Sequence, residues 1–210
     1  MQRLLLVRHA PTDETRRAAF PATSGHVRRD GCAGLDRAGR AAAAALGAAV
    51  GGADRVWSSA ARRCEETAAA AGWPVDEVVA DLAECDFGAW AGRTPAEVHE
   101  VDPDGLARWY ADPDTAPHGG EGFAAVRART RRVLAAARPL PGTTIAVTSG
   151  GVVKAALLEA LDLPTAALWR LDVAPASVTE LHPDSAGGWR VARVAWTPWW
   201  DAPAAGEAAP

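Results

Sequence analysis

The chain has 210 residues, a length that suits one α/β domain with a sizeable hydrophobic core. Its 22 basic and 26 acidic side chains give a formal net charge of −4. A nucleic-acid-binding protein would show a basic excess or a basic stripe, so the charge argues against that class of protein.

Cysteine content and apolar runs restrict the class of protein further. The three cysteines are widely spaced and include no C-x-x-C pair, which favours neither a disulfide framework nor a zinc site. Arg3 and Arg8 interrupt the first apolar stretch, so no signal peptide is evident. The longest run of small apolar residues, 41–53, is too short to span a bilayer. We therefore expect a cytoplasmic protein without a membrane partner.

Predicted strands and helices alternate along the chain. A nearly continuous apolar run predicts a buried strand at Gln2–Val7, and Asp36 caps a helix that Gly51–Gly52 ends. Further strands are predicted at 54–58, 75–79, 178–182 and 189–194, further helices at 60–71, from Thr94–Pro95 onward and at 122–137, and a strand–turn–helix unit at 144–161. Segments 10–34, 81–92 and 102–120 are predicted to be irregular or loops.

This alternation predicts an α/β three-layer sandwich with a mostly parallel central sheet. We expect residues 1–200 to form one domain, followed by a disordered tail at 201–210 that is rich in Ala and Pro. Trp196, Trp199 and Trp200 precede the tail and are too apolar to remain in solvent. They would anchor the C-terminus on the domain or on a second subunit, which allows a homodimer.

Several polar residues follow predicted strands, where α/β enzymes place working groups. Arg8, His9 and Thr12 follow the first strand, and Arg63 lies in the first turn of the helix after the second. Glu84 lies in the irregular segment before Trp90, and Ser149 follows the strand of the strand–turn–helix unit. Each of these residues alone could be an ordinary structural or solvent-exposed residue. They indicate a functional site only if their side chains meet in one place.

Five stretches, in order, carry a family resemblance. They are "LLLVRHAPT" for a strand followed by R-H-G-x-T, "SAARRCEETA" for S-P-L-x-R-x-x-Q-T-A, "LAECDFGAWAG" for L-x-E-x-x-x-G-x-W-x-G, "HGGEGF" for G-G-E-S, and "AVTSGGVV" for V-S-H-G-G-V-I. Together they resemble the histidine phosphatase superfamily, the phosphoglycerate mutase-like fold, over about residues 1–196. Five matches at compatible spacing are far more specific than any single one.

The resemblance implies a mechanism. His9 would attack phosphorus through a neutral imidazole nitrogen and form a phosphohistidine, a bond that water later cleaves. Arg8 and Arg63 would hold the phosphoryl oxygens, and Thr12 would add a hydroxyl contact. Glu84 would act as the general acid and then the general base, with Asp86 as an alternative that aligns less well. No metal and no other cofactor is implied.

One departure from the family pattern affects the phosphate site directly. Ser149 stands where the family carries its second histidine, and a serine brings a shorter side chain without charge. Gly150 and the following helix N-terminus would still offer backbone N–H groups to an anion. A nucleophilic role for Ser149 is disfavoured because no G-x-S-x-G turn surrounds it. A purely structural serine stays open, and contact with a phosphate oxygen is the preferred interpretation. His118 lies just before "GGEGF" and could supply the missing imidazole.

The leading interpretation is a metal-independent phosphatase that acts on a small phosphorylated metabolite through a phosphohistidine at His9. Two alternatives follow from Ser149: a lyase, isomerase or transferase that uses the same phosphate pocket, or a phosphometabolite-binding protein with impaired catalysis. Loops 13–34 and 102–120 would shape the mouth of the site. Arg28, Trp109 and His118 are candidates for contact with the rest of the substrate.

Overall fold

The computed structural model describes residues 2–22 and 34–197. Its strands are β1 (Arg3–Arg8), β2 (Arg55–Ser58), β3 (Glu77–Val78), β4 (Thr143–Thr148), β5 (Val178–Pro183) and β6 (Trp189–Trp196). Its α-helices are α1 (Asp13–Arg16), α2 (Arg37–Val50), α3 (Arg62–Ala70), α4 (Pro95–Val101), α5 (Pro103–Ala111), α6 (Phe123–Ala137) and α7 (Gly150–Ala160). Short 3₁₀ helices lie at Ala80–Leu82, Gly88–Trp90 and Thr165–Arg170.

The six described strands form one sheet in the order β3-β2-β4-β1-β5-β6. The pairs β3–β2, β2–β4 and β4–β1 are parallel, whereas β5 and β6 add to the β1 edge in antiparallel orientation. The predicted α/β fold with a mostly parallel sheet is therefore confirmed. The parallel strands β1 and β4 lie side by side at the centre, which brings their carboxyl ends to the same edge of the sheet.

Helices cover both faces of the sheet because the central strands are apolar on both sides. In β1, Leu4 and Leu6 pack in one cluster with side chains of α6 and α7. The alternate residues Leu5 and Val7 pack in a second cluster with side chains of α2 and α3. Side chains of a strand point alternately to opposite faces, so a continuous apolar run is what a strand buried on both sides requires.

The helix starts follow local capping chemistry. The Asp36 side chain accepts a hydrogen bond from the Gly39 backbone N–H at 2.5 Å, as expected for the start of α2. Thr94 and Glu97 form the predicted reciprocal capping box of α4. The prediction of a loop over 102–120 is wrong for its first half, which forms α5. Asp102 caps this helix, since its side chain accepts from the Gly105 N–H at 2.9 Å.

Two further differences concern short helices. The predicted loop at 10–34 contains α1, and the irregular segment at 81–92 contains two 3₁₀ helices.

Trp196 is half-buried against the core, with the Arg193 guanidinium 4.4 Å from its ring centre, as expected for an anchor on the domain. The predictions for Arg28, Trp199, Trp200 and the tail at 201–210 lie outside the described residues. No helix within the described ranges is both long and apolar enough to cross a membrane.

The contact between α2 and the end of α3 depends on a glycine. Gly47 is buried on the face of α2 that meets α3, and a Cβ atom at this position would overlap the backbone carbonyl group of Ala71. A backbone group cannot move aside as a flexible side chain can, so the two elements would have to separate. The helix thus tolerates an interior residue of poor helix propensity for the sake of close packing.

We predict that Gly47→Ala lowers the free energy of unfolding by about 1–3 kcal/mol, because overpacking outweighs the better helix propensity of alanine. Chemical denaturation of both proteins measures the difference. Gly52→Ala is the matched control: a Cβ there meets nothing within 4 Å, so its effect should stay within about 0.5 kcal/mol. A Gly47→Ala variant as stable as the wild type would contradict this packing argument.

Candidate active site

A cavity of about 450 Å³ is lined by Arg8, His9, Arg63 and Glu84 together. The structure therefore brings the four main predicted residues to one place. Arg8 is the last residue of β1 and His9 follows it, Arg63 lies in the first turn of α3, and Glu84 follows the first 3₁₀ helix. Thr12 and Gly150 also line the cavity.

His9 is fixed by its backbone and by its ring. Its backbone N–H donates to the Thr148 carbonyl at 2.8 Å, and its carbonyl accepts from the Ala176 N–H at 3.2 Å. The ring Nδ1 lies 2.9 Å from the Ala10 carbonyl oxygen. A carbonyl oxygen only accepts hydrogen bonds, so Nδ1 carries the proton and Nε2 keeps its lone pair. The side chain is buried, with 3% of its surface exposed.

The surroundings of His9 favour its neutral form. Burial holds the pKa of His9 well below its ordinary value of 6.5, and the charges of Arg63 and Arg8 lower it further. The hydrogen bond to the Ala10 carbonyl raises the pKa by a smaller amount. A positive imidazolium would lose hydration and face two guanidinium groups. His9 therefore has a free nitrogen lone pair at neutral pH, as a nucleophile requires.

The two arginines present hydrogen-bond donors to the cavity. One guanidinium nitrogen of Arg8 donates to the Val173 carbonyl, which fixes the side chain, while its buried Nε has no hydrogen-bond partner among the residues that the structure describes. A Cβ atom at Gly150 would lie 3.2 Å from this Nε, so the guanidinium group lies against the N-terminus of α7. A buried donor without an acceptor, next to a helix N-terminus, fits a phosphoryl oxygen.

Arg63 is nearly fully buried, with 3% exposed surface. Its Nη2 donates to the Ser149 hydroxyl oxygen at 3.3 Å, and its backbone carbonyl accepts from the Thr67 hydroxyl at 2.6 Å. Ser149 itself is fully buried at the N-cap of α7, where its side chain makes no capping hydrogen bond. It is not among the residues that line the cavity, so Ser149 is connected to the cavity through Arg63.

Glu84 is held at the cavity by two backbone donors. The Cys85 N–H donates to Oε1 at 2.8 Å, and the Gly151 N–H donates to Oε2 at 3.0 Å. A Cβ atom at Gly151 would overlap the Glu84 carboxyl group, which explains the second glycine of the turn. Asp86, the alternative acid, is exposed, and its side chain accepts from the Gly88 N–H instead.

The remaining predicted contacts are placed differently. Trp109 lines the cavity, and Thr12 lines it while capping α1 through the Thr15 N–H. His118 is not among the lining residues: it is buried, packed 5.0 Å from the Trp90 ring, and its Nδ1 accepts from the Gly120 N–H. The structure therefore does not place a second imidazole at the cavity through His118.

Sequence reasoning missed Lys154 and most of the aromatic lining. Lys154 lies one turn beyond Gly150 on α7, a spacing that places both residues on one helix face. Burial lowers the pKa of its ammonium group. The aromatic residues that line the cavity are Phe20, Phe87, Trp109, Phe123 and Trp169. They come from five separate segments, and only the fold brings them together.

The nearby thiols are poor nucleophiles. Burial raises the pKa of Cys64 to about 11, and the pKa of Cys85, which lines the cavity, is raised further by burial and by Glu84. Both thiols therefore stay protonated at neutral pH, and the thiolate is the reactive form. Within residues 2–22 and 34–197, no three His, Cys, Asp or Glu side chains are grouped so that they could hold a metal ion.

Comparison with known proteins agrees with this geometry. Residues 4–197 match the model of the histidine phosphatase superfamily, branch 1. The chain is similar to a bifunctional protein of Mycobacterium tuberculosis, with 38% identity over 201 residues, or 90% of this chain and 53% of that protein. It thus spans about half the length of the curated relatives that it matches most extensively.

Two solved structures show how far the likeness extends. A mycobacterial glucosyl-3-phosphoglycerate phosphatase, solved with VO3, has 28% identity and a TM-score of 0.77, covering 94% of this chain and 99% of its own. A phosphoserine phosphatase from Entamoeba histolytica has a TM-score of 0.81 at 18% identity, covering 95% of this chain and 99% of its own. The second likeness shows the fold alone.

We predict that His9 makes the protein less stable in mild acid. With the folded-state pKa below 6.5, the unfolded chain binds more protons than the folded chain as pH falls below 6.5. The free energy of unfolding should therefore fall by up to about 1.4 kcal/mol per pH unit until the folded-state pKa is reached. Urea denaturation at a series of pH values measures this slope.

His9→Asn removes the titrating group and should flatten that slope, whereas the control His99→Asn, at an exposed position on α4, should keep it. Equal slopes for the wild type and His9→Asn would show that the His9 ring is not held neutral by its surroundings.

Proposed function

Since the chain belongs to branch 1 of the histidine phosphatase superfamily, we propose that it hydrolyses a phosphomonoester of a small metabolite through a phosphohistidine at His9. The observation that carries the proposal is the convergence of Arg8, His9, Arg63 and Glu84 on one cavity. Two fixed positive charges suit a phosphoryl group, and a neutral imidazole beside them suits attack on it.

In the first step, the Nε2 lone pair of His9 forms a bond to phosphorus while the bond from phosphorus to the ester oxygen breaks. Glu84, in its protonated form, gives its proton to the departing oxygen, which leaves as an alcohol. Arg8 and Arg63 donate hydrogen bonds to the non-bridging oxygens, where charge is held in the transition state. The N–H groups at the start of α7 add further positive potential near these oxygens.

In the second step, water attacks phosphorus and the phosphorus–nitrogen bond breaks. Glu84, now a carboxylate, takes the proton from the attacking water, which returns the acid to its starting form. Inorganic phosphate leaves, and His9 regains its lone pair. The cycle needs no oxidant, reductant or metal ion.

Ser149 contributes through Arg63 in this mechanism. The hydroxyl group accepts a hydrogen bond from Nη2, so it fixes the orientation of the guanidinium group that holds the phosphoryl oxygens. The charge that a second histidine would bring is missing, and the site relies on the two arginines and the start of α7. Because Ser149 replaces that histidine, two alternatives stay open. One is a lyase, isomerase or transferase reaction, and the other is binding without turnover.

We predict that the purified protein releases phosphate from some members of a broad phosphomonoester panel. His9→Ala should lower kcat by at least about a thousandfold, as expected when a covalent nucleophile is removed. Glu84→Gln should lower kcat roughly 10²- to 10⁴-fold through loss of general acid–base catalysis. Phosphate release and product mass spectrometry are the measurements, and His99→Ala is the matched control with wild-type turnover.

Each alternative has its own outcome. A product other than the free alcohol and phosphate would indicate a non-hydrolytic enzyme on the same pocket. Tight phosphate or vanadate binding with no turnover of any ester would indicate a binding protein. Equal turnover by wild type and His9→Ala would refute the nucleophilic role of His9.

A separate prediction concerns Ser149. Ser149→Ala removes the acceptor of the Arg63 hydrogen bond, so kcat/KM should fall roughly fivefold, corresponding to ~1 kcal/mol for one hydrogen bond of this kind. Ser149→Thr keeps the hydroxyl group and should retain most of the activity. Steady-state kinetics on the best substrate measure both. Equal losses in the two variants would indicate that packing at this buried position, rather than the hydrogen bond, supports the site.

A further inference from the structure

The part of the cavity that the phosphoryl chemistry does not use is aromatic. Five rings line it, here called the aromatic wall: Phe20, Phe87, Trp109, Phe123 and Trp169. We propose that the aromatic wall selects phosphomonoesters whose alcohol portion is a planar, largely apolar ring system, in preference to sugar or polyol phosphates. This inference rests on the proposed function, since it names the substrate class of the same cavity.

The rings of the wall contact one another. Phe20 lies 4.8 Å from Phe87 and 5.4 Å from Trp109, between ring centres, and Trp109 lies 4.7 Å from Trp169 with the two rings 75° apart. The first contact is tilted and the other two are edge-to-face, and contacts of these kinds favour particular ring orientations. The Trp169 indole N–H donates to the Tyr110 carbonyl at 3.0 Å, so the orientation of that ring is fixed as well.

Trp169 still offers a surface to a ligand, since 39% of the residue is exposed. Phe20, Trp109 and Phe123 are at least nine-tenths buried, and so they shape the cavity without having to move. A rigid apolar surface with one partly exposed indole suits stacking or edge contact with a second flat ring. A ring bound there would gain contact area without ordering a flexible wall.

The polar side chains beside the wall are already engaged. Thr15 Oγ1 accepts from the Thr12 N–H at 2.8 Å and donates to the Thr12 carbonyl at 2.8 Å. Glu14 accepts from the Ala22 N–H at 3.3 Å, and the Cys85 thiol donates to the Glu121 carbonyl at 3.4 Å. A sugar buried here would lose hydration at its hydroxyl groups and would find few free partners among these described side chains, which is costly.

The other lining residues point the same way. They are small or apolar, namely Ala18, Ala19, Pro21, Leu168 and Pro175. Besides Arg8 and Arg63, the cation among the described lining residues is Lys154, which interacts with the charges of Asp172 and Glu84. Among the described lining residues, a second strongly anionic group on the substrate would therefore meet one further cation, whose charge Asp172 and Glu84 partly offset. The volume of about 450 Å³ is enough for a phosphate with a one- or two-ring group.

The test uses a pair of phosphonates, which carry the anionic group on a carbon atom and are not hydrolysed as esters. Calorimetric titration gives the Kd of methylphosphonate and of naphthylmethylphosphonate for the full chain. The ratio of the two constants isolates the contribution of the ring system. We expect the ring to tighten binding at least about tenfold, because it buries apolar area against the aromatic wall.

Trp169→Ala should lower this ratio several-fold, because it removes the most exposed ring of the wall. Trp196→Ala is the matched tryptophan control: Trp196 is half-buried on β6, is not among the lining residues of this cavity, and should leave the ratio unchanged. Thermal melting of both variants verifies that they fold.

The outcomes separate this inference from the proposed function. Phosphate release from esters together with a ratio near one would overturn the aromatic preference while hydrolysis stands. A high ratio that depends on Trp169, without turnover of any ester, would support the aromatic preference and refute hydrolysis. Failure of both phosphonates to bind, or a high ratio untouched by Trp169→Ala, would overturn the inference.

Discussion

The site depends on two guanidinium groups, of the partly buried Arg8 and the buried Arg63, placed beside the buried imidazole of His9. Arg8 and Arg63 are costly to bury, and each is fixed by an uncharged oxygen acceptor, the Val173 carbonyl and the Ser149 hydroxyl. Their charges have two consequences. Together with burial, which is the larger cause, they keep the pKa of His9 low, so its ring stays neutral and its free nitrogen keeps a lone pair. They also leave a positive field that a tetrahedral anion can compensate. A phosphoryl group meets both conditions at once.

The sheet creates this arrangement through the pairing of two central strands. In the parallel pair β1–β4, Arg8 stands opposite Thr148, so the chain positions that follow, His9 and Ser149, leave the sheet side by side. The turn after β4 then leads into α7, whose second residue, Gly151, donates to Glu84. The proposed nucleophile, the proposed acid and the proposed phosphate donors are thus connected to one helix start and two neighbouring strand ends.

Much of this could be predicted from the sequence, because it depends on local chemistry. The apolar run of β1 and the Asp36 cap of α2 are local signals, and the carboxyl-end position of His9 follows from the parallel sheet. Other features depend on distant segments meeting. The bond from Arg63 to Ser149 joins residues 86 positions apart, and the aromatic wall combines five segments. The helix α5 was missed although Asp102 carries its cap, since a run rich in Asp, Pro and Gly favours a loop.

The direct measurement of the central claim is the covalent intermediate. The protein is mixed with a phosphomonoester from which it releases phosphate and is then denatured rapidly under alkaline conditions, in which phosphohistidine survives. Peptide mass spectrometry locates the added phosphoryl group. A phosphoryl group on the peptide that contains His9, absent from His9→Ala, is the predicted result. Turnover of the same substrate with the label on another residue, or turnover retained by His9→Ala, would contradict it.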